Sequence, residues 1–211
     1  MDSYGYISAM ALFIYVTMML IFLAAKRNQI VNSFLLVLLS MTCWTGGSCF
    51  MRALLWPNYI FWYHVSLFGL LCLPYAYYLL VNSMAEKRGG VEKYIYPVLL
   101  GGLFLINIPD GVLFRWPVIV ESGEKFRFVY DEINWRSVIF FAAAGIVLLH
   151  TLWNLFQCRK NNRKYTRQMN TIIAGILIVL AGNIALMFPV FSGFPVDLLA
   201  GLINAFFLVY A

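Results

Sequence analysis

Charged side chains are scarce in this chain. Asp, Glu, Lys and Arg make up 11% of its 211 residues, whereas hydrophobic residues make up 63%. An ordinary soluble domain has about a quarter charged residues, so the composition excludes one. Histidine occurs only twice and cysteine four times, and no HExxH, GxSxG or glycine-rich phosphate loop is present. We therefore expect no enzyme active site, metal site or cofactor in these residues.

Seven apolar segments occupy nearly the whole sequence. A bilayer core about 30 Å thick needs about 20 mostly apolar residues in a spanning helix, so the segments predict seven transmembrane helices. The seventh segment has no lysine, which excludes a retinal Schiff base there. We expect residues 1–211 to form one all-α membrane domain with no soluble output domain. The predicted spans are residues 4–25, 31–56, 59–83, 94–108, 136–156, 171–189 and 196–211.

The basic residues predict the orientation of the bundle, because short loops rich in Lys and Arg stay in the cytoplasm. The first, third and fifth loops carry ten of the fifteen basic residues but only two of the nine acidic ones. The N-terminus is therefore predicted to lie outside and the C-terminus inside. We expect no nucleic acid partner, since the formal net charge of +6 sits beside the membrane. The ten residues are Lys26, Arg27, Lys87, Arg88, Lys93, Arg159, Lys160, Arg163, Lys164 and Arg167.

The outer loop, residues 109–135, is the only segment with room for structure outside the membrane. Residues 118–120 and 126–130 are rich in β-branched and aromatic side chains, and the turn-forming Gly123 lies between them. This pattern predicts a small β-hairpin between the fourth and fifth helices. Since an isolated hairpin is marginal in water, we expect it to pack on the bundle, either as a lid over the helix ends or as a ligand-contacting loop.

Few ionisable side chains lie within the predicted spans, and such residues usually face a bundle interior or a wet cavity. Arg52, His64 and Asp197 should lie at similar depth near the outer side. They form a candidate ligand pocket, with an Arg52–Asp197 pair at its centre. The alternative is that Arg52 extends to the lipid headgroups and Asp197 caps its helix. The aromatic residues predicted around this pocket are Trp56, Trp62, Trp116 and Tyr130.

Other polar residues in the spans are predicted to join helices. The amides of Asn32, Asn183 and Asn204 lie in or near spans two, six and seven, where interhelical hydrogen bonds contribute about 1 kcal/mol or less. His150, in the inner half of span five, is either a proton-sensitive group or a neutral histidine bonded between helices. We favour the second interpretation.

Scattered residues give the chain a resemblance to a known family. It resembles the seven-transmembrane N-terminal sensor region of prokaryotic histidine kinases over nearly all of its length. The resemblance implies a sensor input that precedes a cytoplasmic output domain, possible homodimers, and a location in the prokaryotic plasma membrane. The residues that carry it are Trp44, Gly47, Pro74, Pro97, Asn107, Trp135, Arg167-Gln168, Asn183 and Pro195-Val196-Asp197.

Our interpretation is a receptor-like sensor. An unknown small molecule or peptide at the outer side of the bilayer would change helix packing, and spans six and seven would transmit the change to a cytoplasmic partner. A small transporter or channel is the alternative, and it requires a polar path across the membrane. A purely structural assembly partner is a third possibility, and it predicts no cavity.

Overall fold

The protein is a bundle of helices in a computed structural model, which describes residues 5–86, 89–109, 111–113, 115–122, 125–129, 134–161, 166–185 and 196–210. These residues form seven helices, and two strands lie between the fourth and fifth of them. In chain order the elements are α1 (Gly5–Leu23), α2 (Gln29–Arg52), α3 (Tyr59–Met84), α4 (Glu92–Asn107), β1 (Val118–Ser122), β2 (Lys125–Val129), α5 (Trp135–Asn161), α6 (Thr166–Ala185) and α7 (Val196–Tyr210).

Among the described residues, α1, α2, α3, α5 and α6 are each long and apolar enough to cross a membrane. The remaining two helices are shorter, with 16 residues in α4 and 15 in α7. The helix ends differ from the predicted spans by a few residues. Span two, for example, was expected to reach residue 56, but α2 ends at Arg52 because Leu54 adopts a left-handed φ of 51°.

Asparagine side chains cap the N-termini of three helices. Asn28 accepts a hydrogen bond from the backbone N–H of Val31 at 2.8 Å, and Asn58 accepts one from Phe61 at 2.7 Å. Asn134 does the same at the start of α5, where it accepts from Arg136 at 2.9 Å. An asparagine at this position satisfies a backbone N–H that has no partner within the helix. These caps set the points at which α2, α3 and α5 enter the bundle.

Helices α1, α2, α3, α5, α6 and α7 form a closed ring of neighbours, and α4 packs on α3 and α5. Helix α2 packs against α1 and α3, α3 also contacts α4 and α5, α6 packs on α7, and α7 returns to α1. Tyr59 at the start of α3 contacts Phe128 of β2, with ring centroids 5.9 Å apart. We call this the strand end of the bundle. The basic end is the opposite one, where α1 ends and α2 begins, at residues 24–28.

The closest packing in the bundle joins α2 to α3 through two glycines. A Cβ on Gly47 would lie 2.7 Å from the carbonyl oxygen of Trp62, and one on Gly69 would lie 2.5 Å from that of Ser40. Real Cβ atoms do not approach backbone atoms this closely, so only glycine fits at either position. Ser66 adds a hydrogen bond from its hydroxyl to the Trp44 carbonyl at 2.9 Å. We call Gly47 and Gly69 the glycine joint.

The strands β1 and β2 pair antiparallel, with Val118 opposite Val129 and Ser122 opposite Lys125. Phe128 is 5% exposed and belongs to a buried cluster that includes Tyr63, Leu67 and Phe140. A second and larger cluster fills the space between α1, α2, α3, α5, α6 and α7. The sheet therefore packs on the helices instead of projecting from them.

Candidate functional site

Arg52 and Asp197 are brought together at the strand end. Arg52 is the last residue of α2 and is 6% exposed. Its guanidinium lies within electrostatic range of the Asp197 carboxylate, which is in the first turn of α7. The backbone at Asp197 and Leu198 lies near the same carboxylate. Asp197 thus lies in the first turn of α7 with Arg52 as a charged neighbour, and Arg52 is buried instead of extending away from the bundle.

His64 lies apart from this pair, on the side of α3 that faces α4. Its ring contacts the backbone carbonyls of Ile60 and Ile108, and it meets Trp116 edge to face with centroids 6.4 Å apart. Helix geometry explains the separation, because residues two positions apart point about 200° apart around a helix. Trp62 faces α2, where its carbonyl abuts Gly47, so His64 faces the opposite way.

His64 and Trp116 share a notable property. The Nε2 atom of His64 and the Nε1 atom of Trp116 are both buried, and neither has a hydrogen-bond partner among the described residues. Buried polar atoms are normally paired with protein or ordered water. The two rings therefore mark a polar spot on the α4 side of α3, separate from the Arg52–Asp197 pair.

The remaining predicted aromatic residues have different positions. Trp62 anchors the α2–α3 connection, because its Nε1 donates to the carbonyls of Leu55 and Trp56 at 3.2 Å each. It also packs edge to face on Phe50 at 4.7 Å. Trp56 itself is 87% exposed, and Tyr130 lies outside the described residues. The seven ligand-contact candidates therefore do not line one pocket in the part of the chain that is described.

A buried polar network lies deeper in the bundle, and we call it the tyrosine–asparagine network. Asn204 of α7 is completely buried and lies between Tyr15 of α1 and Tyr77 of α3. Its Nδ2 is 3.4 Å from the Tyr15 hydroxyl and 3.2 Å from the Tyr77 hydroxyl. The Tyr15 hydroxyl donates in turn to the carbonyl of Gly201. These bonds connect three helices inside an otherwise apolar core.

Helix α6 approaches the same network. A Cβ on Gly175 would overlap Oδ1 of Asn204, and a Cβ on Gly182 would overlap that of Ala200. Small residues of this kind allow close helix–helix contact in membranes. Helices α6 and α7 are therefore packed tightly at two levels, one of them at Asn204.

Sequence reasoning named Asn204 but missed the two tyrosines. Their position in the sequence could have indicated a buried polar contact. Tyrosines of membrane proteins concentrate at the interfaces, whereas Tyr15 and Tyr77 lie well inside α1 and α3. A tyrosine deep within a span needs a hydrogen-bond partner there. The other named amides behave differently: Asn183 donates to the Val179 carbonyl within α6 at 2.8 Å, and Asn32 is exposed near the start of α2.

His150 contacts a different helix. Its Nδ1 is 2.6 Å from the Tyr96 hydroxyl of α4, and its Nε2 is 3.3 Å from Nδ2 of Asn154. The ring also stacks on Tyr78 of α3, with centroids 6.2 Å apart. His150 thereby links α3, α4 and α5 in the half of the bundle nearer the basic end.

Comparison with known proteins assigns the chain to a family. A match to the N-terminal 7TM region of histidine kinase covers residues 7–211, so the chain belongs to that family. This region is a membrane input region, distinct from the kinase domain that performs catalysis. A comparison with curated proteins finds no match.

Proposed function

We propose that this member of the histidine kinase N-terminal 7TM family is a sensor module that detects a ligand at its strand end and transmits the signal through α6 and α7. The family supports an input role in the membrane. The basic loops support placing the strand end outside and the basic end in the cytoplasm of a prokaryote. On this orientation β1 and β2 cover the outer face of the bundle.

The observation that carries this proposal is the Arg52–Asp197 pair. It sets a cation at the end of α2 within electrostatic range of a carboxylate in the first turn of α7. An anionic ligand group would compete with Asp197 for Arg52, and a cationic group would compete with Arg52 for Asp197. Either event releases the start of α7 from α2. A small molecule or peptide with one charged group at the membrane surface is thus a suitable stimulus.

Transmission of the signal depends on the contacts that α7 makes with other helices beyond Asp197. The tyrosine–asparagine network ties α7 to α1 and α3, and the contact between Gly182 and Ala200 ties it to α6. A shift at the start of α7 therefore moves α6 as well. A ligand drives such a shift only if it binds one packing of the helices more tightly than another, and a charge pair that is either closed or open provides that difference. Membership of the family supports a cytoplasmic output partner as the receiver of this motion.

The test measures motion at the basic end after the pair is broken at the strand end. Spin labels are attached to cysteines introduced at Ile21 of α1 and Val209 of α7, which are 63% and 57% exposed, in a variant lacking the native cysteines. Distances between the labels are measured in lipid nanodiscs by pulsed electron paramagnetic resonance. Arg52→Gln and Asp197→Asn are expected to shift or broaden the distance distribution by about 2 Å, a typical displacement for helix shifts.

Arg136→Gln is the matched control, since Arg136 is also a strand-end arginine but lies on α5, over the ring of Trp135 at 5.4 Å. It should leave the distribution unchanged. If both Arg52→Gln and Asp197→Asn also reproduce the wild-type distribution, the pair does not control the far end of α7 and the proposed route of transmission is wrong.

A further inference from the structure

An apolar crevice opens between α3, α5 and α6, away from the Arg52–Asp197 pair. Its volume is about 280 Å³. The floor is formed by buried residues of all three helices, among them Leu73, Leu148 and Val179, and the rim includes Leu149 and Ile184, which are 61% and 53% exposed. Because the rim lies on the outer surface of a membrane bundle, the crevice opens towards the lipid.

The crevice follows the depth axis of the membrane. Val138 and Asn183 line it near the start of α5 and the end of α6, both at the strand end. Leu149 lines it eleven residues after Val138, which corresponds to about 16 Å along a helix at 1.5 Å per residue. The crevice therefore extends from near one membrane surface to about the middle of the bilayer.

Asn183 is a polar residue in this apolar lining. One of its amide N–H groups donates to the Val179 carbonyl of its own helix. Its second N–H and its Oδ1 have no partner among the described residues. An amide with unused hydrogen-bonding capacity is costly where no water is present, so Asn183 offers a polar group to whatever fills the crevice at this level.

We propose that the crevice binds one acyl chain of a bilayer lipid, with an ester carbonyl of that lipid accepting a hydrogen bond from Asn183. An apolar cavity of about 150 Å³ remains dry and binds hydrocarbon molecules, and this crevice is larger. The order of its lining, polar near the membrane surface and apolar towards the centre, matches the order of groups along a lipid. An acyl chain in the crevice would oppose closer packing of α5 and α6, so lipid occupancy gives a second input to α6 that does not act through the charge pair.

Gly145 provides a variant that fills the crevice. It lines the crevice, and a Cβ added there meets nothing within 4 Å, so Gly145→Leu should fold normally and occupy the space of the lipid chain. Gly101 of α4 is the matched control, because a Cβ there also meets nothing within 4 Å and the residue does not line the crevice. Circular dichroism confirms that each variant is folded.

The probe is a phosphatidylcholine that carries a diazirine midway along one acyl chain, in nanodiscs with the full chain. After irradiation, mass spectrometry compares adducts on the crevice wall at Val179 and Leu180 with adducts at Phe13 of α1, which is 73% exposed and serves as a lipid-facing reference. We expect wall adducts to fall at least fivefold in Gly145→Leu and to remain unchanged in Gly101→Leu, with Phe13 adducts constant throughout.

Asn183→Leu tests the polar contact and should lower the wall adducts by about threefold to tenfold, the range for one lost hydrogen bond in a membrane. Equal wall labelling in wild type, Gly145→Leu and Asn183→Leu would overturn the proposal. A free fatty acid with the same diazirine is tested in parallel. If only the fatty acid labels the wall, the occupant is a free amphiphile and the assignment to a bilayer lipid is wrong.

Discussion

Replacing Gly69 of the glycine joint by alanine should lower the free energy of unfolding, whereas the same replacement at Gly101 of α4 should not. In Gly69→Ala the new Cβ would lie 2.5 Å from the Ser40 carbonyl oxygen and 2.9 Å from the Cys43 carbonyl carbon. Since favourable contacts between carbon atoms lie at about 3.5–4.0 Å, α2 and α3 must separate by about 1 Å. The atoms in the way belong to the backbone and cannot rotate aside.

The size of the destabilisation depends on two opposing free-energy terms, the cost of overpacking and the gain in helix propensity. Overpacking a well-filled core costs about 1–3 kcal/mol, and a backbone clash should fall at the upper end of that range. Alanine is favoured over glycine in a helix by about 1 kcal/mol, which leaves Gly69→Ala destabilised by about 2 kcal/mol. In Gly101→Ala the Cβ meets nothing within 4 Å, so only the favourable term remains. The two variants should differ by about 3 kcal/mol, or roughly a hundredfold in the unfolding equilibrium.

The assay is reversible unfolding in mixed micelles by titration with sodium dodecyl sulfate, followed by helical circular dichroism. The free energy of unfolding should fall below that of wild type for Gly69→Ala and lie at or above it for Gly101→Ala. Equal values for the two variants would refute the reasoning, because they would show that α2 and α3 are not in backbone contact at Gly69.

Two further predictions concern asparagine side chains and use the same unfolding assay. Asn204→Leu removes the bonds to the Tyr15 and Tyr77 hydroxyls and should lower the free energy of unfolding by about 1–2 kcal/mol; no loss would show that the tyrosine–asparagine network does not stabilise the bundle. Asn58→Ala removes the N-cap of α3 and should cost about 1 kcal/mol, whereas Asn32→Ala, at an exposed position, should stay within about 0.5 kcal/mol of wild type. Equal losses for Asn58→Ala and Asn32→Ala would contradict the capping role.

Scattered residues were sufficient to predict the family. The seven helices of the described residues could be predicted because apolar segments of spanning length are local signals. The sequence also identified the segment in which β1 and β2 form. The strength of the signal has a physical cause: a backbone in lipid must satisfy its hydrogen bonds internally, so a long apolar segment becomes a helix.

The inward face of each helix was much harder to predict. In helices α1, α2 and α3 the apolar residues show almost no preference for one side, so their sequences do not indicate which side meets a neighbour. This is why His64 was grouped with Arg52, although it faces α4 and contacts Trp116. The contacts of Asn204 were hidden for a related reason, since they join residues 127 to 189 positions apart in the chain.

The burial of Asn204 has a mechanical consequence for α7. Sliding this helix by one turn, about 5.4 Å, would strip the amide and the Tyr77 hydroxyl of their partners in a medium where each unsatisfied group costs several kcal/mol. Tilting about Asn204 keeps the bonds. Asp197 lies seven residues before this pivot and Tyr210 six residues after it, or about 10 Å and 9 Å along the axis. Helix α7 is thus a lever with nearly equal arms, in which a sideways displacement at one end of the helix reappears at the other end with similar amplitude and opposite direction.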